Sequence, residues 1–352
     1  ESVTVQERLA RMRDNGCEYA VVEASSHGLS PRTARLLHVH FDAGVFMNVT
    51  QEHLEFHGTF EQYRYDKANL FRSLDTHDHK KKNGTAAAFG IVNLEDPSAA
   101  YFAQATKYPV FGFSVQKHIG AAGAVPFSNF AGGLSADHVH EDENGLTFTI
   151  HTAFNDVQKT YEAAAPVTGF FNVYNILASL IAVHNLTGLP FDMLVPLLNR
   201  LMPVRGRMCR VEEGQGFEVL IDYAHTPSSF QAIMPSVRDR VKAKGGRIIA
   251  VFGSGGERDT VKRPEQGKIA GEYCDTIILT DEDPRGEDPV ELLEMIAAGC
   301  PDKKRGEELF IIPDRPTAVR KAFSLAQPND TVLLLGKGHE NSIIGKNGAV
   351  PY

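Results

Sequence analysis

A carboxylate, an imidazole and an amine lie in one short stretch near the start of the chain, at Glu23, His53 and Lys67. Two apolar runs, residues 19–22 and 44–47, precede polar residues there, and each predicts a buried parallel strand. Ligands bind beside the carboxyl ends of strands in an open α/β sheet, so we expect the three side chains to converge. Glutamate and histidine suit a bound cation, whereas a lysine ammonium beside them needs a different explanation.

The surrounding pattern indicates an α/β protein. Residues 5–13 and 59–74 have helical spacing, and the second helix carries Lys67, while residues 86–93 predict another strand. From 110 to 168, short alternating runs predict a small antiparallel addition to a mostly parallel sheet. Glycine and proline in residues 202–208 interrupt the pattern, and we place a domain boundary near Val204.

The remainder of the chain alternates strands and helices, which predicts a doubly wound, Rossmann-like sheet. Its strands are expected at residues 218–221, 247–252, 276–280, 308–312 and 331–335. The dinucleotide fingerprint G-x-G-x-x-G does not follow the first of these strands, so no dinucleotide is assigned and a dehydrogenase is a distant alternative.

Charged residues follow three of these strands, at residues 253–263, 281–285 and 336–340. Because the carboxyl ends of adjacent parallel strands share one edge, the clusters are expected to meet in one crevice. A crevice with both signs of charge suits a zwitterionic amino acid, since arginine binds a carboxylate through two hydrogen bonds and acids bind ammonium groups. The alternative is a set of solvated loops.

Composition limits the possible partners. The chain has 352 residues and a net charge of −8, which gives no general attraction to nucleic acid or anionic membranes. No apolar run reaches the about 18 residues of a membrane-spanning helix. The four cysteines form no C-x-x-C pair and are expected to be reduced thiols of a cytoplasmic protein.

A polar loop at residues 75–84 contains two histidines, His77 and His79. Histidines this close together suggest a metal site, but the neighbouring sequence offers no further ligands at suitable spacing. A surface loop is therefore the favoured interpretation.

Three segments resemble motifs of the Mur ligase family, in that family's order. They are Glu-Ala-Ser-Ser-His-Gly-Leu at 23–29, Asn-Val-Thr-Gln-Glu-His-Leu-Glu-Phe-His-Gly-Thr at 48–59 and Asp-Tyr-Ala-His-Thr-Pro at 222–227. The resemblance covers essentially the whole chain and is strongest to the family's tripeptide synthetases. It implies part of a central ATPase domain over residues 1–203 and a Rossmann-like carboxyl-terminal domain over residues 204–352.

The resemblance implies that Lys67 is carboxylated by carbon dioxide. A carbamate is an anion with two oxygens, so with Glu23 and His53 it can hold Mg²⁺ where an ammonium would repel it. The residues matching the family's ATP contacts are Asn172, Asn175, Arg207, Asp222 and His225. Asn172 is also suited to be a helix N-cap.

The family's nucleotide-sugar contacts carry over incompletely. Ser25 lies in the first motif, but Pro31 and Thr33 stand near the positions of the family's glutamine and arginine. Arg32 or Arg35 is expected to supply the cation instead, and a solvated helix face is an equal alternative.

The amino-acid motif of the diaminopimelate-adding members, Asp-Asn-Pro-Arg, corresponds to Glu282, Asp283, Pro284 and Arg285. The added anion at Asp283 favours a plain side-chain ammonium, as in lysine or ornithine, while Arg285 remains able to bind the second carboxylate of diaminopimelate. The third amino acid stays open. Arg258, Gly336 and Glu340 match the family's other contacts to this amino acid.

The implied function is ATP-dependent ligation of a dibasic amino acid to UDP-N-acetylmuramoyl-L-alanyl-D-glutamate in peptidoglycan biosynthesis, through an acyl phosphate, by a cytoplasmic monomer. One alternative is a related ligase, such as a folylpolyglutamate or cyanophycin synthetase. Another is a non-catalytic nucleotide-sugar-binding protein. The chain contains no P-loop of the form G-x-x-G-K-[ST], so we expect a fragment truncated at both ends that is inactive alone.

Overall fold

Strands and helices alternate along most of the chain. The computed structural model describes residues 2–50, 54–80, 84, 86–115, 129–142, 144–154 and 157–352. The chain forms two units. The first comprises Glu1–His140, Thr147–Ala164 and Val173–Asn199, and the second comprises Glu141–Leu146, Ala165–Asn172 and Arg200–Tyr352.

The first sheet has six strands in the order β1-β2-β3-β4-β5-β6. They are β1 (Ala43–Phe46), β2 (Phe89–Asn93), β3 (Val110–Val115), β4 (Gly132–Asp142), β5 (Gly145–Phe154) and β6 (Val157–Ala165). The first four run parallel to their neighbours. Two residues separate β4 from β5, and so short a connection joins antiparallel strands only. The antiparallel addition therefore begins after β4. Strands β3 and β4 pair in parallel, contrary to the antiparallel prediction that began at residue 110.

The helices of the first part of the chain are α1 (Ser2–Asp14), α2 (Ser26–Leu29), α3 (Leu54–His57), α4 (Phe60–Ser73), α5 (Ala99–Ala103), α6 (Phe171–Thr187) and α7 (Phe191–Leu194). Single 3₁₀ segments follow α4 at Leu74–Thr76 and α7 at Val195–Arg200. None of the helices among the described residues is long and apolar enough to cross a membrane.

Helix α4 is held against the sheet by its apolar face. Thr59 caps its first turn by accepting a hydrogen bond from the Gln62 backbone N–H. The fully buried Phe71 ring packs against Gly90 of β2, where a Cβ atom would lie only 2.5 Å from the ring. The glycine therefore lets the helix approach the sheet closely, which fixes the position of Lys67 on the same helix.

The strand predicted at residues 19–22 is wrong, whereas the one predicted at 44–47 is confirmed as β1. Residues 19–22 form no regular structure, and Val21 is 97% exposed. A strand is stable only where a neighbouring strand pairs with it, and among the described residues none pairs with this run. The segment around Arg32 consists of turns, so the helix-face alternative is wrong as well.

The second sheet also has six strands, in the order β11-β10-β9-β12-β8-β7. They are β7 (Cys209–Val211), β8 (Glu218–Asp222), β9 (Ile248–Phe252), β10 (Thr276–Leu279), β11 (Leu309–Ile311) and β12 (Thr331–Leu335). All five predicted strands are confirmed and run parallel, and β7 alone is antiparallel to its neighbour among the described pairs.

Helices cover both faces of this sheet, as expected for a doubly wound fold. They are α8 (Pro227–Ala243), α9 (Lys262–Tyr273), α10 (Pro289–Ala297) and α11 (Arg315–Leu325), and a hairpin of β13 (Ser342–Gly345) and β14 (Gly348–Pro351) ends the chain. One core contains Phe230 and Phe252, and the other contains Val251 and Ile278. Strand β12 inserts between β8 and β9, so the strand order reverses there, where doubly wound sheets bind ligands.

Candidate functional site

A buried hydrogen-bonded chain ties α4 to the first motif in the first unit. Nδ1 of His57 lies 2.9 Å from Oδ2 of Asp66, and Nε2 lies 3.0 Å from Oγ of Ser26. The carboxylate only accepts, so Nδ1 donates to it and Nε2 of a neutral ring accepts from the serine. The order resembles a hydrolase triad, but the side chains of His57 and Asp66 are 0% and 1% exposed. Because these side chains are buried, a substrate cannot reach the serine hydroxyl. The three hydrogen-bonded side chains therefore hold α4 and the first motif in position.

Neighbouring contacts fix the segment that follows. Ser25 caps α2 by accepting a hydrogen bond from the Gly28 backbone N–H at 3.1 Å. Arg32 donates to the carbonyl oxygen of Phe56, and its guanidinium lies 4.5 Å from the centre of that ring. Arg32 thus holds α3 in this structure. Its nucleotide-sugar role, and those of Ser25 and Arg35, stay predictions.

The predicted metal ligands lie in different environments. Glu23 is exposed in the irregular segment before α2. Lys67 is half-buried on α4, with Nζ 5.2 Å from the centre of the Tyr63 ring. His53 lies outside the described residues. The three-ligand set therefore stays a prediction.

Asn172 is the second residue of α6, so it lies inside the helix and is not its N-cap. Its Nδ2 donates to the Thr168 carbonyl oxygen at 2.7 Å. Asn175 lies one turn further along the same helix. Tyr174 between them donates its hydroxyl to Glu95 at 2.7 Å. Burial and this carboxylate raise the pKa of Tyr174, so the phenol stays protonated. The ATP roles of both asparagines stay predictions.

In the second unit, the charged strand ends meet as the sequence predicts. Nζ of Lys337, after β12, lies 2.6 Å from Oδ1 of Asp283, after β10. The same carboxylate oxygen accepts the Ile344 backbone N–H at 2.8 Å. The side chain of Lys337 is 3% exposed and that of Asp283 is 17% exposed. Lys337 therefore largely compensates the charge of Asp283, so Asp283 is not the unopposed anion expected from the motif alone.

Glu282 is the most deeply buried acid of the predicted amino-acid contacts, and its Oε2 has no hydrogen-bond partner among the described residues. Burial raises the pKa of Glu282 to about 7, although Lys262, Arg315 and Lys337 oppose the rise. Gly336 has φ +85°, and a Cβ atom there would lie 2.6 Å from Oε2 of Glu282. Glycine is thus required both by the backbone and by the close approach.

The arginine of the motif reaches back to the loop after β9. Nη1 of Arg285 donates to the Gly256 carbonyl oxygen at 2.7 Å, while Pro284 beside it is buried. Arg285 and Glu257 have φ of 52° and 55°, a left-handed conformation that costs energy in residues with side chains. Such strained residues concentrate at functional sites. Arg258 is exposed next to this loop.

The loop after β8 is built around a buried carboxylate. Asp222 accepts the backbone N–H groups of Met208 and Ala224, each at 2.7 Å. Burial raises the pKa of Asp222, although these two donors oppose the rise. One oxygen therefore holds Met208, the residue after Arg207, while the other holds the loop after β8. Arg207 is itself exposed, with its guanidinium 5.0 Å from the centre of the Tyr223 ring.

Two further predicted residues border this loop. Nδ1 of His225 donates to the Tyr223 carbonyl oxygen at 2.9 Å, which sets its tautomer. Glu340 accepts the Gly338 backbone N–H at 2.9 Å. Burial opposes ionisation of Glu340, but the backbone donors prevail and lower its pKa. The structure thus brings the second-unit residues to one edge of the sheet, while their ligand roles stay predictions.

Two arginines that support this edge are buried, which their sequence positions did not indicate, although Arg263 belongs to the predicted charged cluster at residues 253–263. Arg315 is 1% exposed and donates to the carbonyl oxygens of Asp281 and Leu335, which joins the ends of β10 and β12. Arg263 is 0% exposed and binds the Glu287 carboxylate through both terminal nitrogens. Arginines at helix starts are usually solvated, so their sequence positions gave no signal of burial.

Two family models match the chain. The Mur ligase middle domain matches residues 1–183, and the Mur ligase glutamate ligase domain matches residues 206–338. The chain belongs to the Mur ligase family. One relative is a UDP-N-acetylmuramyl-tripeptide synthetase from Treponema denticola, 61% identical over 352 residues. That alignment covers 100% of this Mur ligase chain and 64% of the relative, so the chain spans less than two thirds of the relative's length.

Solved structures of Mur ligases share the fold. A UDP-N-acetylmuramoyl-L-alanyl-D-glutamate–2,6-diaminopimelate ligase is 27% identical with a TM-score of 0.56, over 99% of this chain and 65% of that one. The MurF ligase from Thermotoga maritima, solved with ADP, is 20% identical with a TM-score of 0.58, over 87% of this chain and 61% of that one. The second likeness concerns the fold alone. Together they agree with a partial central domain followed by a Rossmann-like domain.

Proposed function

We propose that this chain is part of an ATP-dependent ligase that adds the third, dibasic amino acid to UDP-N-acetylmuramoyl-L-alanyl-D-glutamate. The observation that carries the proposal is similarity to a tripeptide synthetase over the whole of this chain, combined with the meeting of charged side chains at one edge of the second sheet. The proposed domains are residues 1–203 and 204–352. The proposed setting is a monomer in the cytoplasm, where ATP and the nucleotide sugar are available.

The donor set proposed for Mg²⁺ fits the ion under one condition. Glu23 offers an exposed carboxylate, but the ammonium of Lys67 offers no lone pair. Carboxylation converts Lys67 into an oxygen donor of the kind Mg²⁺ prefers. When bound by Glu23, His53 and carboxylated Lys67, the ion would supply charge neutralisation to the phosphate groups.

The protein's own contribution is orientation and charge. In the proposed reaction the terminal phosphate of ATP passes to the dipeptide carboxylate, the amine attacks the resulting acyl phosphate, and inorganic phosphate leaves. Asn172, Asn175, Arg207 and His225 are proposed to contact ATP, with Arg207 facing phosphate through its forked donors. Asp222 is proposed to serve the same site by positioning Arg207, since its Oδ2 accepts the backbone N–H of Met208, the next residue.

Residues at the second sheet are proposed to bind the incoming amino acid. Arg285 and Arg258 suit carboxylate binding, and Glu340 suits an ammonium group. Glu282 is the distinctive member, because its buried Oε2 lacks a partner among the described residues and a substrate ammonium would supply one. We propose lysine, ornithine or diaminopimelate as this substrate.

Calorimetric titration of the 352-residue chain with single amino acids tests the binding proposal. Lysine, ornithine and meso-diaminopimelate are compared with glutamate, and we expect one of the first three to bind and glutamate not to bind. Glu282→Gln should weaken that binding by at least about tenfold, because a charge-assisted hydrogen bond contributes roughly 1.5–3 kcal/mol. Glu307→Gln is the control, since that side chain is 72% exposed. Preference for glutamate would instead favour a folylpolyglutamate synthetase.

A further inference from the structure

Three side chains of the types that bind metals lie together at the start of the first sheet, away from the residues discussed above. Asp42 precedes β1, and His77 and His79 follow the 3₁₀ segment after α4. One ligand atom from each lies within 4.8 Å of the others. The segment of His77 and His79 does lie at the surface, as predicted. The third side chain could not be found from the sequence, because Asp42 lies 37 residues before His79 and the fold brings it near.

The hydrogen bonds of His79 indicate a cation at this place. Its Nε2 lies 2.7 Å from the Leu74 carbonyl oxygen, which only accepts, so Nε2 carries a proton. Its Nδ1 lies 2.8 Å from Oδ1 of Asp42. In a neutral ring, Nδ1 of His79 would direct its lone pair at the carboxylate of Asp42, and the two would repel each other. Either a second proton or a metal ion between the two atoms removes this repulsion.

His77 offers a further ligand atom. Its Nε2 is buried and has no hydrogen-bond partner among the described residues. The ring centre lies 4.1 Å from that of His79, and on its other side it stacks 4.5 Å from His40. The buried Nε2 is therefore placed to serve as a metal ligand.

We propose that Asp42, His77 and His79 bind one Zn²⁺ ion, with water in the remaining position. Two imidazoles and one carboxylate suit zinc, whereas a set with two nitrogen ligands suits Mg²⁺ poorly. Bonds of about 2.1 Å place tetrahedral ligand atoms about 3.4 Å apart, so Nδ1 of His79 and Oδ1 of Asp42, which are 2.8 Å apart, separate slightly on binding. All three ligand atoms start within 4.8 Å of one another. Nothing in this site depends on the residues proposed for Mg²⁺ or for the ligase reaction.

The ion would act as a structural clamp. The Asp42 carbonyl oxygen accepts the Phe89 backbone N–H at 3.1 Å, so Asp42 is anchored where β1 and β2 begin. His77 and His79 follow directly from α4, the helix of Lys67. A metal bound by all three fastens the end of that helix to the sheet. Because the site is absent from the unfolded chain, binding raises the thermal midpoint.

Calorimetric titration of the metal-free 352-residue chain with ZnCl₂ tests the proposal. We expect one Zn²⁺ per chain, a raised thermal midpoint, and no displacement by excess Mg²⁺. His77→Gln should retain the fold, because no described residue hydrogen-bonds to Nε2. It should weaken zinc binding by at least about tenfold, because even the loss of a residue that only supports a metal ligand weakens binding by about that factor.

His138→Gln is the matched control, because its ring pairs at 2.8 Å with Asp137 and its side chain is 62% exposed. It should bind zinc like the parent chain. Asp42→Asn provides a second test in case the histidine variant unfolds, since the Asp42 side chain is 62% exposed and its replacement is mild. Absence of stoichiometric binding, or unchanged affinity in His77→Gln and Asp42→Asn, would overturn the proposal.

Discussion

Replacement of Lys337 by methionine removes the positive charge from the ion pair at the second sheet and keeps an unbranched side chain of similar length. Loss of one partner from a fully buried pair costs about 3–5 kcal/mol, whereas exposed pairs contribute at most about 1 kcal/mol. Lys337 is 3% exposed, but Asp283 is 17% exposed and keeps the Ile344 N–H. We therefore expect Lys337→Met to lower the free energy of unfolding by about 2–3 kcal/mol.

Urea denaturation followed by circular dichroism measures this loss. Lys304→Met is the matched control, because Lys304 and Glu307 are 3.9 Å apart and each is 72% exposed. That variant should change the free energy of unfolding by less than about 1 kcal/mol.

A double-mutant cycle isolates the charge interaction from other effects of the substitution. Asp283→Asn removes the carboxylate that Lys337 neutralises, and in that background Lys337→Met should cost at least about 1 kcal/mol less. An equal loss in both backgrounds would refute the reasoning, because the effect would then come from packing of the lysine stem.

Four further outcomes follow from named contacts. Glu282 keeps its proton to about pH 7 in the folded chain but ionises near pH 4.5 in the unfolded chain. Its contribution to the free energy of unfolding is therefore present below pH 4.5 and declines as the pH rises to 7, by at most about 3 kcal/mol. Urea denaturation of Glu282→Gln should not show this decline. Asp66→Asn should lower the free energy of unfolding by about 1–3 kcal/mol, since its histidine partner loses a charged acceptor. An unchanged free energy of unfolding would contradict the buried hydrogen bond between Asp66 and His57. Gly206→Ala should cost at least about 2 kcal/mol in the same assay, because a Cβ atom would lie 2.5 Å from Gly338 backbone atoms, whereas Gly214→Ala, also at positive φ but with open space, should cost about 1 kcal/mol. Given ATP, the nucleotide-sugar dipeptide and the three dibasic amino acids, the chain alone should release no phosphate, and release above background would show that it needs no P-loop.

The strands of the second sheet were predictable because each is a short apolar run bounded by turn residues. Residues 248–252 and 331–335 are wholly buried, so their composition reflects their environment directly. The meeting of Lys337, Asp283 and Gly256 followed from a general rule, since adjacent parallel strands end at a common edge.

Features that depend on distant partners were not predictable. The apolar run at residues 19–22 has the composition of a strand, but composition does not reveal whether a neighbour pairs with it. Burial of Arg315 depends on carbonyl oxygens at two strand ends, and the proximity of Asp42 to His79 depends on the fold. The negative charge of Asp283 could be read from the sequence, but its neutralisation by Lys337 could not.

The proposed reaction is tested most directly on the natural gene product that contains these 352 residues. The protein is incubated with ATP, UDP-N-acetylmuramoyl-L-alanyl-D-glutamate and radiolabelled lysine, ornithine, meso-diaminopimelate or glutamate, and label in the nucleotide sugar is measured. We expect ATP-dependent transfer of one of the three dibasic amino acids, with one ADP formed per amide bond. Transfer of glutamate, or of none of the four, would contradict the proposed function.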